Sequence, residues 1–260
     1  MHISLNNRHA VICGSTQGIG LATAIELASL GASCTLIARN EESLRDAVAQ
    51  LPAGAGQQHG YAVADFSDPS AVQQAIAKII INPVHILINN SGGPKAGPIT
   101  EAGIKDFTAA FQQHVVNNQN LVNAVLPGMK VAGYGRIINI LSTSVKTPLA
   151  NLGVSNTIRA AVAGWSKTLA NEIGQFNITV NNVLPGLTAT ARLESLIENT
   201  AKSSATDIGE VETGLLSSIP MRRFGTAAEI ANVISFLASP AAAYVNGTNI
   251  PVDGGRTPAF

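Results

Sequence analysis

The sequence predicts a single α/β domain: a doubly wound, seven-stranded parallel sheet with helices on both faces. Short apolar runs alternate with longer helical patterns from end to end, which indicates strands joined by helical crossovers. The runs are nearly continuously apolar, as in parallel strands that are covered on both faces. No linker, internal repeat or low-complexity tract divides the 260 residues, so residues 1–260 are expected to form one domain. The predicted strands are Ala10–Cys13, Ser33–Ala38, Gly60–Ala64, Ile86–Asn89, Arg136–Leu141, Thr179–Leu184 and Asn249–Val252.

The predicted helices lie between these strands, and three of them begin with a capping signal. Asn40 precedes one helix, and Asp68 precedes another that has Pro69 at its first position. Thr226 precedes a third helix with Glu229 as its third residue, which is the pattern of a capping box. The predicted helices are Ile19–Leu30, Glu41–Leu51, Pro69–Ile79, Lys105–Val131, Val154–Phe176 and Ala227–Ala238.

The longest segment without a predicted strand is Thr188–Thr226, between the sixth and seventh strands. Its middle is polar and its flanks are apolar. A long insertion outside the carboxyl ends of parallel strands is often a lid over an active site. A pair of surface helices fits the same pattern equally well, and both interpretations are kept.

Composition excludes several classes of protein. Charged residues make up 12% of the chain, about half the ~25% usual for soluble domains, so the bulk of the chain is not disordered. Sixteen basic residues balance sixteen acidic ones, so neither nucleic acid nor a membrane is expected as a partner. Mean hydropathy is +0.23, but no apolar run approaches the ~20 residues that span a bilayer. Without a signal-like N-terminal segment, a cytoplasmic protein is expected.

The two cysteines and the histidines suggest no bridge and no metal site. Cys13 and Cys34 lie within predicted parallel strands, so we interpret them as small core residues. The histidines are scattered without the spacing of metal ligands.

The first predicted strand ends in a glycine-rich turn, and a helix follows at once. Glycines permit a tight turn and let the backbone approach a pyrophosphate, which then lies at the positive end of the helix. Between an apolar strand and an amphipathic helix, this turn predicts a dinucleotide-binding (Rossmann) site. Its expected cofactor-binding residues are Gly14, Ser15, Gln17, Gly18, Ile19 and Gly20.

The end of the second strand distinguishes NAD from NADP. An acidic residue there bonds the ribose 2′-hydroxyl, whereas an arginine accommodates a 2′-phosphate. The stretch has no carboxylate before Glu41, and Arg39 can hold a phosphate through two parallel hydrogen bonds. A solvated arginine at a strand end is the alternative. The absence of an acidic residue in this stretch and the presence of Arg39 together favour NADP (NADPH) as the cofactor.

Five motifs follow one another along the whole chain. They are the Gly14–Gly20 turn, Asn89-Asn90-Ser91-Gly92 after the fourth strand, Gly135–Ser142 on the fifth, Pro185-Gly186 after the sixth, and Asn246-Gly247 with Val252-Asp253-Gly254-Gly255 at the end. Together they resemble the short-chain dehydrogenase/reductase family, nearest its 3-oxoacyl-carrier-protein reductase-like branch. The resemblance implies a nicotinamide-dependent oxidoreductase.

The resemblance also implies cofactor contacts beyond the glycine turn. Each has a local alternative, because carboxylates, asparagines and Pro-Gly pairs are common in ordinary turns. Asp65, for example, can simply cap the turn that follows it. The implied contacts are Asp65 and Phe66 beside the adenine, Asn89, Ser91 and Gly92 at the ribose and central sheet, and Pro185, Gly186, Thr188 and Thr190 at the nicotinamide end.

The catalytic residues depart from the family pattern of Asn, Ser, Tyr and Lys. Ser142 matches the serine, but Ser155 stands at the tyrosine position and Arg159 at the lysine position. His114 stands at the asparagine position. The segment around Ser155 is similar to that of a divergent subgroup that lacks the usual tetrad. A serine hydroxyl is a much poorer acid than a phenol, whereas an arginine can stabilise a developing alkoxide.

Two other residues can supply a proton. Unperturbed histidine titrates near neutrality, which makes His114 a candidate. Lys146, in the loop after the fifth strand, is the second candidate. A buried hydrogen-bonded histidine and a solvated loop lysine are equally acceptable interpretations. The three tyrosines lie outside the segments expected to reach the nicotinamide.

Two functions follow from these observations. The first is an NADP-dependent oxidoreductase that interconverts a carbonyl and an alcohol, with a small-molecule carbonyl compound or acyl thioester as substrate. The second is a catalytically impaired dinucleotide-binding protein that acts as a sensor or structural subunit, which the altered tetrad favours. Ser142 and the long segment favour the enzyme. Helices Lys105–Val131 and Val154–Phe176 resemble those that the family packs into symmetric interfaces, which implies a homotetramer or dimer.

Overall fold

The computed structural model describes residues 1–258 and confirms the predicted fold class. The strands of the main sheet are β1 (His9–Cys13), β2 (Ser33–Ala38), β3 (Gly60–Val63), β4 (Ile86–Asn89), β5 (Gly135–Ile140), β6 (Ile178–Pro185) and β9 (Asn249–Val252). Within the described residues these seven strands are all parallel, in the order β3-β2-β1-β4-β5-β6-β9. The order reverses between β1 and β4, which leaves a crevice at the carboxyl ends of the strands. The predicted bounds agree to within one residue at each end.

Helices cover both faces of this sheet, and the predicted caps begin three of them. The side-chain oxygen of Asn40 accepts the backbone N–H of Ser43 at 2.8 Å, and Asp68 caps its helix in a similar way. Thr226 and Glu229 form the predicted capping box. Among the described residues, no helix is both long and apolar enough to cross a membrane. The α-helices are α1 (Gly18–Ser29), α2 (Glu41–Ala49), α3 (Pro69–Ile79), α4 (Ile104–Phe111), α5 (Asn117–Ala132), α6 (Gly153–Ile173), α7 (Ala191–Ser204), α8 (Ile208–Ser217) and α9 (Ala227–Ala238).

One predicted helix is interrupted. The sequence predicts a continuous helix over Lys105–Val131, but the structure divides it into α4 and α5 by a wider π-helical turn over Gln112–Val116. Such turns are rare and frequently occur at functional sites. This one carries His114.

The segment 188–226 forms a helix pair that is closed at its base by a short parallel bridge. Strands β7 (Thr188–Ala189) and β8 (Gly225–Thr226) pair with each other, so the two ends of the segment meet. Helices α7 and α8 lie between them. The segment therefore forms a pair of helices, as one of the two interpretations predicts. Closure of this segment over a ligand stays a prediction.

Two apolar layers, one on each face of the sheet, enclose the strands. Ile12 and Cys34 belong to the layer that contains α1 and α9, and Val11 and Cys13 belong to the layer that contains α3 and α5. Burial raises the pKa of both thiols to about 12, so they stay protonated and unreactive. The cysteines are free and fully buried, as the sequence predicts.

Four asparagines form a hydrogen-bonded row across the sheet. Asn89, Asn139, Asn182 and Asn249 lie side by side in register on β4, β5, β6 and β9. The amide nitrogen of each donates to the side-chain oxygen of the next, at 2.8, 2.8 and 2.7 Å. Asn139 also donates to Ser166 Oγ of α6 at 3.2 Å. Because buried amides must find partners, this asparagine row holds four strands in register near the ends that carry the site.

Candidate active site

A cavity of about 720 Å³ opens at the carboxyl ends of the strands, where the strand order reverses. The turns after β1 to β6 and the first turns of α7 form its walls. The structure brings most of the predicted site residues together here. Those in the lining are Gly14, Gln17, Gly18, Ile19, Gly20, Arg39, Asp65, Phe66, Ser91, Gly92, Ser142, Ser155, Arg159, Pro185, Gly186, Thr188 and Thr190.

Four predicted site residues lie outside this lining in the described part of the chain. The Ser15 side chain is fully buried. The side chain of Asn89 belongs to the asparagine row and points its amide nitrogen at β5. Lys146 follows a short 3₁₀ turn over Thr143–Val145 and is half-buried. His114 lies behind Ser91, as described below.

Two glycines of the turn, Gly14 and Gly20, are packed too closely for a larger residue. A Cβ atom on Gly20 would lie 2.1 Å from the carbonyl oxygen of Gly14, and one on Gly14 would lie 2.8 Å from the carbonyl oxygen of Asn90. Gly14 also has a φ of +57°, a conformation that favours glycine. The Asn90 amide donates to the Gly14 carbonyl at 3.0 Å and holds the turn in place. The N-terminus of α1 has no side-chain cap, and its first residues, Gly18 to Gly20, line the cavity.

At one end of the cavity, Arg39 is exposed and lies near Asp65. The Asp65 carboxylate accepts the backbone N–H of Ser67 at 2.8 Å, and this bond, with a smaller effect of Arg39, lowers its pKa. Asp65 therefore caps its turn and also borders the cavity. Glu41 is turned away, because its carboxylate accepts from Arg45 at 2.7 Å and from a tyrosine hydroxyl at 3.0 Å. Apart from Asp65, no acidic residue lines the cavity among the described residues.

At the other end lie Ser142, Ser155 and Arg159. Ser142 begins the 3₁₀ turn, and its Oγ accepts the backbone N–H of Ser144 at 3.1 Å. Ser155 and Arg159 lie one turn apart on α6 and face the same cavity. The Arg159 guanidinium donates through Nη1 to the carbonyl oxygen of Ile140 at 2.8 Å. Burial, with a smaller effect of Arg192, lowers the pKa of Arg159 to about 10, so it remains charged at neutral pH.

His114 is a buried, neutral histidine. Its Nδ1 is hydrogen-bonded to Ser91 Oγ at 2.9 Å, and its Nε2 has no partner in the described structure. Burial, together with the charges of Arg159 and Arg192, lowers the pKa of His114 to about 3. An imidazolium is therefore absent at neutral pH, which corrects the expectation that His114 donates a proton in that range. The surroundings of His114 match the alternative interpretation, a buried hydrogen-bonded histidine.

Sequence reasoning missed several residues of the lining. Asn90 holds the glycine turn, and Gln113 donates to the Gly92 carbonyl at 2.9 Å. Arg192, in the first turn of α7, lies against Gly93: a Cβ on that glycine would be 2.7 Å from the arginine Nη2. The available signal for Arg192 was a base two residues after Thr190, in an otherwise neutral stretch.

Comparison with known proteins identifies the family of this chain. A family model described as enoyl-(acyl carrier protein) reductase matches residues 14–257. The chain belongs to the short-chain dehydrogenase/reductase family.

Curated relatives and a solved structure match over almost the whole chain. The chain is 33% identical to the NADPH-dependent reductase BacG of Bacillus subtilis, over 96% of this chain and 98% of that protein. It is 34% identical to the 3-oxoacyl-[acyl-carrier-protein] reductase FabG of Pseudomonas aeruginosa, over 97% and 98%. Its structure is similar to that of L-sorbose reductase from Gluconobacter frateurii, complexed with NADPH and L-sorbose, with a TM-score of 0.93, 30% identity and full coverage of both chains.

Proposed function

We propose that this protein is an NADPH-dependent reductase that interconverts a carbonyl and an alcohol by hydride transfer. One observation carries the proposal: a single cavity joins the glycine turn and Arg39 at one end to Ser142 and Arg159 at the other. The names of the relatives agree with it, because BacG is an NADPH-dependent reductase and the L-sorbose reductase is complexed with NADPH.

The residues present fit a phosphorylated dinucleotide. Gly14 and Gly20 let the backbone pack closely in this turn, and the uncapped N-terminus of α1 supplies N–H groups for a pyrophosphate. Arg39 is available for the 2′-phosphate, while Glu41 is held by Arg45 and does not compete for a ribose hydroxyl. The resemblance to the family implies that Thr188 and Thr190, which line the same cavity, hold the nicotinamide end.

Ser142 and Arg159 stabilise the reacting oxygen in this proposal. Bound NADPH supplies the hydride. The hydroxyl of Ser142 donates a hydrogen bond to the substrate oxygen, and the Arg159 charge stabilises the alkoxide that develops there. Because Arg159 is buried and fixed to the Ile140 carbonyl, its charge is already in place before the reaction.

Water is the proton source in this proposal. The described lining contains no tyrosine and no lysine, and His114 is neutral. Ser142 and Ser155 both face the cavity and can hold a water molecule between them, which donates its proton to the alkoxide. Lys146 is the competing donor, and Lys146→Ala tests it: full activity in that variant supports water.

The test of the function is NADPH oxidation, followed by absorbance, against a panel of ketones, 3-oxoacyl thioesters and quinones. Turnover of at least one carbonyl compound is expected, and Ser142→Ala should lower kcat/KM by about 10²-fold or more, as loss of one such donor does. Ser144→Ala is the matched control, because its side chain lies outside the lining and only its backbone contacts Ser142. NADPH binding without any turnover across the panel would instead support the sensor or structural role.

A further inference from the structure

Two arginines besides Arg39 line the cavity. Arg159 projects from α6 and Arg192 from the first turn of α7, and both line the cavity. Only 9% of Arg159 is exposed, and its Nε has no hydrogen-bond partner in the described structure. The two charges are near enough that Arg192 lowers the pKa of Arg159.

These two positive charges have no acidic partner in the described part of the chain. The ion pairs found there join Arg45 to Glu41 and Arg223 to Glu229, both on the surface. Asp65 is the acidic residue of the described lining, and it lies at the Arg39 end. Arg192 is exposed to solvent, but Arg159 is buried, and an uncompensated buried charge is costly unless a bound group of opposite charge completes it.

We propose that the substrate carries a carboxylate next to the reacting carbonyl, as in a 2-oxo or 3-oxo acid, and that Arg159 and Arg192 bind this carboxylate. The inference rests on the proposed reductase function. Reduction would transfer a hydride to the carbonyl carbon and a proton to its oxygen, so that an oxo acid, NADPH and a proton yield a hydroxy acid and NADP⁺.

The planar guanidinium fork matches a carboxylate through paired hydrogen bonds, which a lysine does not provide. The free Nε of Arg159 supplies a donor for such a bond. In the proposed function the phosphates of the cofactor have sites of their own, at the N-terminus of α1 and at Arg39. A carboxylate thus completes the two charges that the chain leaves open.

The first experiment compares acids with their own neutral derivatives. Kinetics with NADPH are measured for 2-oxo and 3-oxo acids and for the methyl ester of each. The parent protein should favour the acid in kcat/KM by at least about tenfold, the scale of a charge-assisted hydrogen bond. Arg192→Met should remove this preference, chiefly through KM. Lys202→Met, which removes an exposed charge farther along the same helix, should keep it.

The second experiment separates this inference from the proposed function. Binding of oxalate and of malonate to the protein–NADPH complex is measured by calorimetry, because neither anion can be reduced. Binding in the parent that is lost in Arg192→Met supports the carboxylate site even if no substrate turns over. Esters reduced as well as acids would overturn the inference and leave the reductase standing. The inference would also be overturned if the parent protein neither preferred acids nor bound the anions. It would be overturned as well if the Arg192→Met variant lost NADPH affinity but kept the preference for acids.

Discussion

Replacing Asn139 with leucine should destabilise the protein by several kcal/mol. Leucine keeps the branching and the number of heavy atoms, so the change mainly removes hydrogen bonds. It leaves three buried groups without this partner: the amide nitrogen of Asn89, the side-chain oxygen of Asn182 and the hydroxyl oxygen of Ser166. Each buried polar group left unpaired costs about 1–3 kcal/mol, so the three together cost about 3–9 kcal/mol.

Urea unfolding followed by circular dichroism measures this loss, at one fixed protein concentration because association shifts apparent stability. Asn123→Leu on α5 is the matched control, because its asparagine is exposed and accepts a hydrogen bond from Gln119 of the same helix. That change should stay within about 0.5 kcal/mol, as is usual for surface positions. A loss below about 1 kcal/mol for Asn139→Leu would refute the argument that the asparagine row holds the strands together.

Three further predictions concern the cofactor, the assembly and the buried histidine. NADPH should bind at least about tenfold more tightly than NADH, a difference of about 1.4 kcal/mol, and Arg39→Asp should reverse the order; equal affinities in the parent protein would contradict this. Light scattering at micromolar concentration should show a dimer or tetramer, because Ile104, Phe111 and Val131 expose apolar surface on α4 and α5; a monomer would disprove it. The pKa of His114 in the folded protein lies at about 3, below its ordinary 6.5. At a pH between these two values the unfolded chain binds one proton more than the folded chain, so the stability of the protein falls as pH falls. Between pH 6 and 4 the parent should lose about 1.4 kcal/mol per pH unit more than His114→Asn in the same urea assay, and equal slopes would show that the folded histidine is not held neutral.

The sheet could be predicted from sequence because each strand is a short apolar run bounded by polar residues. Ser33–Ala38 and Asn249–Val252 were predicted without error for this reason. The π-helical turn over Gln112–Val116 could not be predicted, because one additional residue in a helical turn leaves the apolar periodicity on both sides nearly unchanged. The asparagine row was missed because it depends on the register between strands far apart in sequence.

Much of the candidate site was predicted, but two roles needed the structure. The glycine turn and Arg39 follow from local sequence, and both line the cavity. The state of His114 depends on burial and on two arginines that reach it from other elements, so an unperturbed pKa was a poor guide. The local signal for Arg192 was only its place two residues after Thr190, because the fold is what brings the start of α7 and the start of α6 to one cavity.

The four residues Ser142, Ser155, Arg159 and His114 of the proposed site have a common electrostatic property. None of them is expected to change charge near neutral pH. Arg159 stays protonated, His114 stays neutral, and the hydroxyls of Ser142 and Ser155 do not ionise. In the proposed reaction such a site would stabilise a developing alkoxide by fixed charge and leave the proton to water. We therefore expect the site to suit a substrate that carries a negative group of its own. The buried guanidinium of Arg159 would then bind that group and also stabilise the alkoxide that forms during reduction.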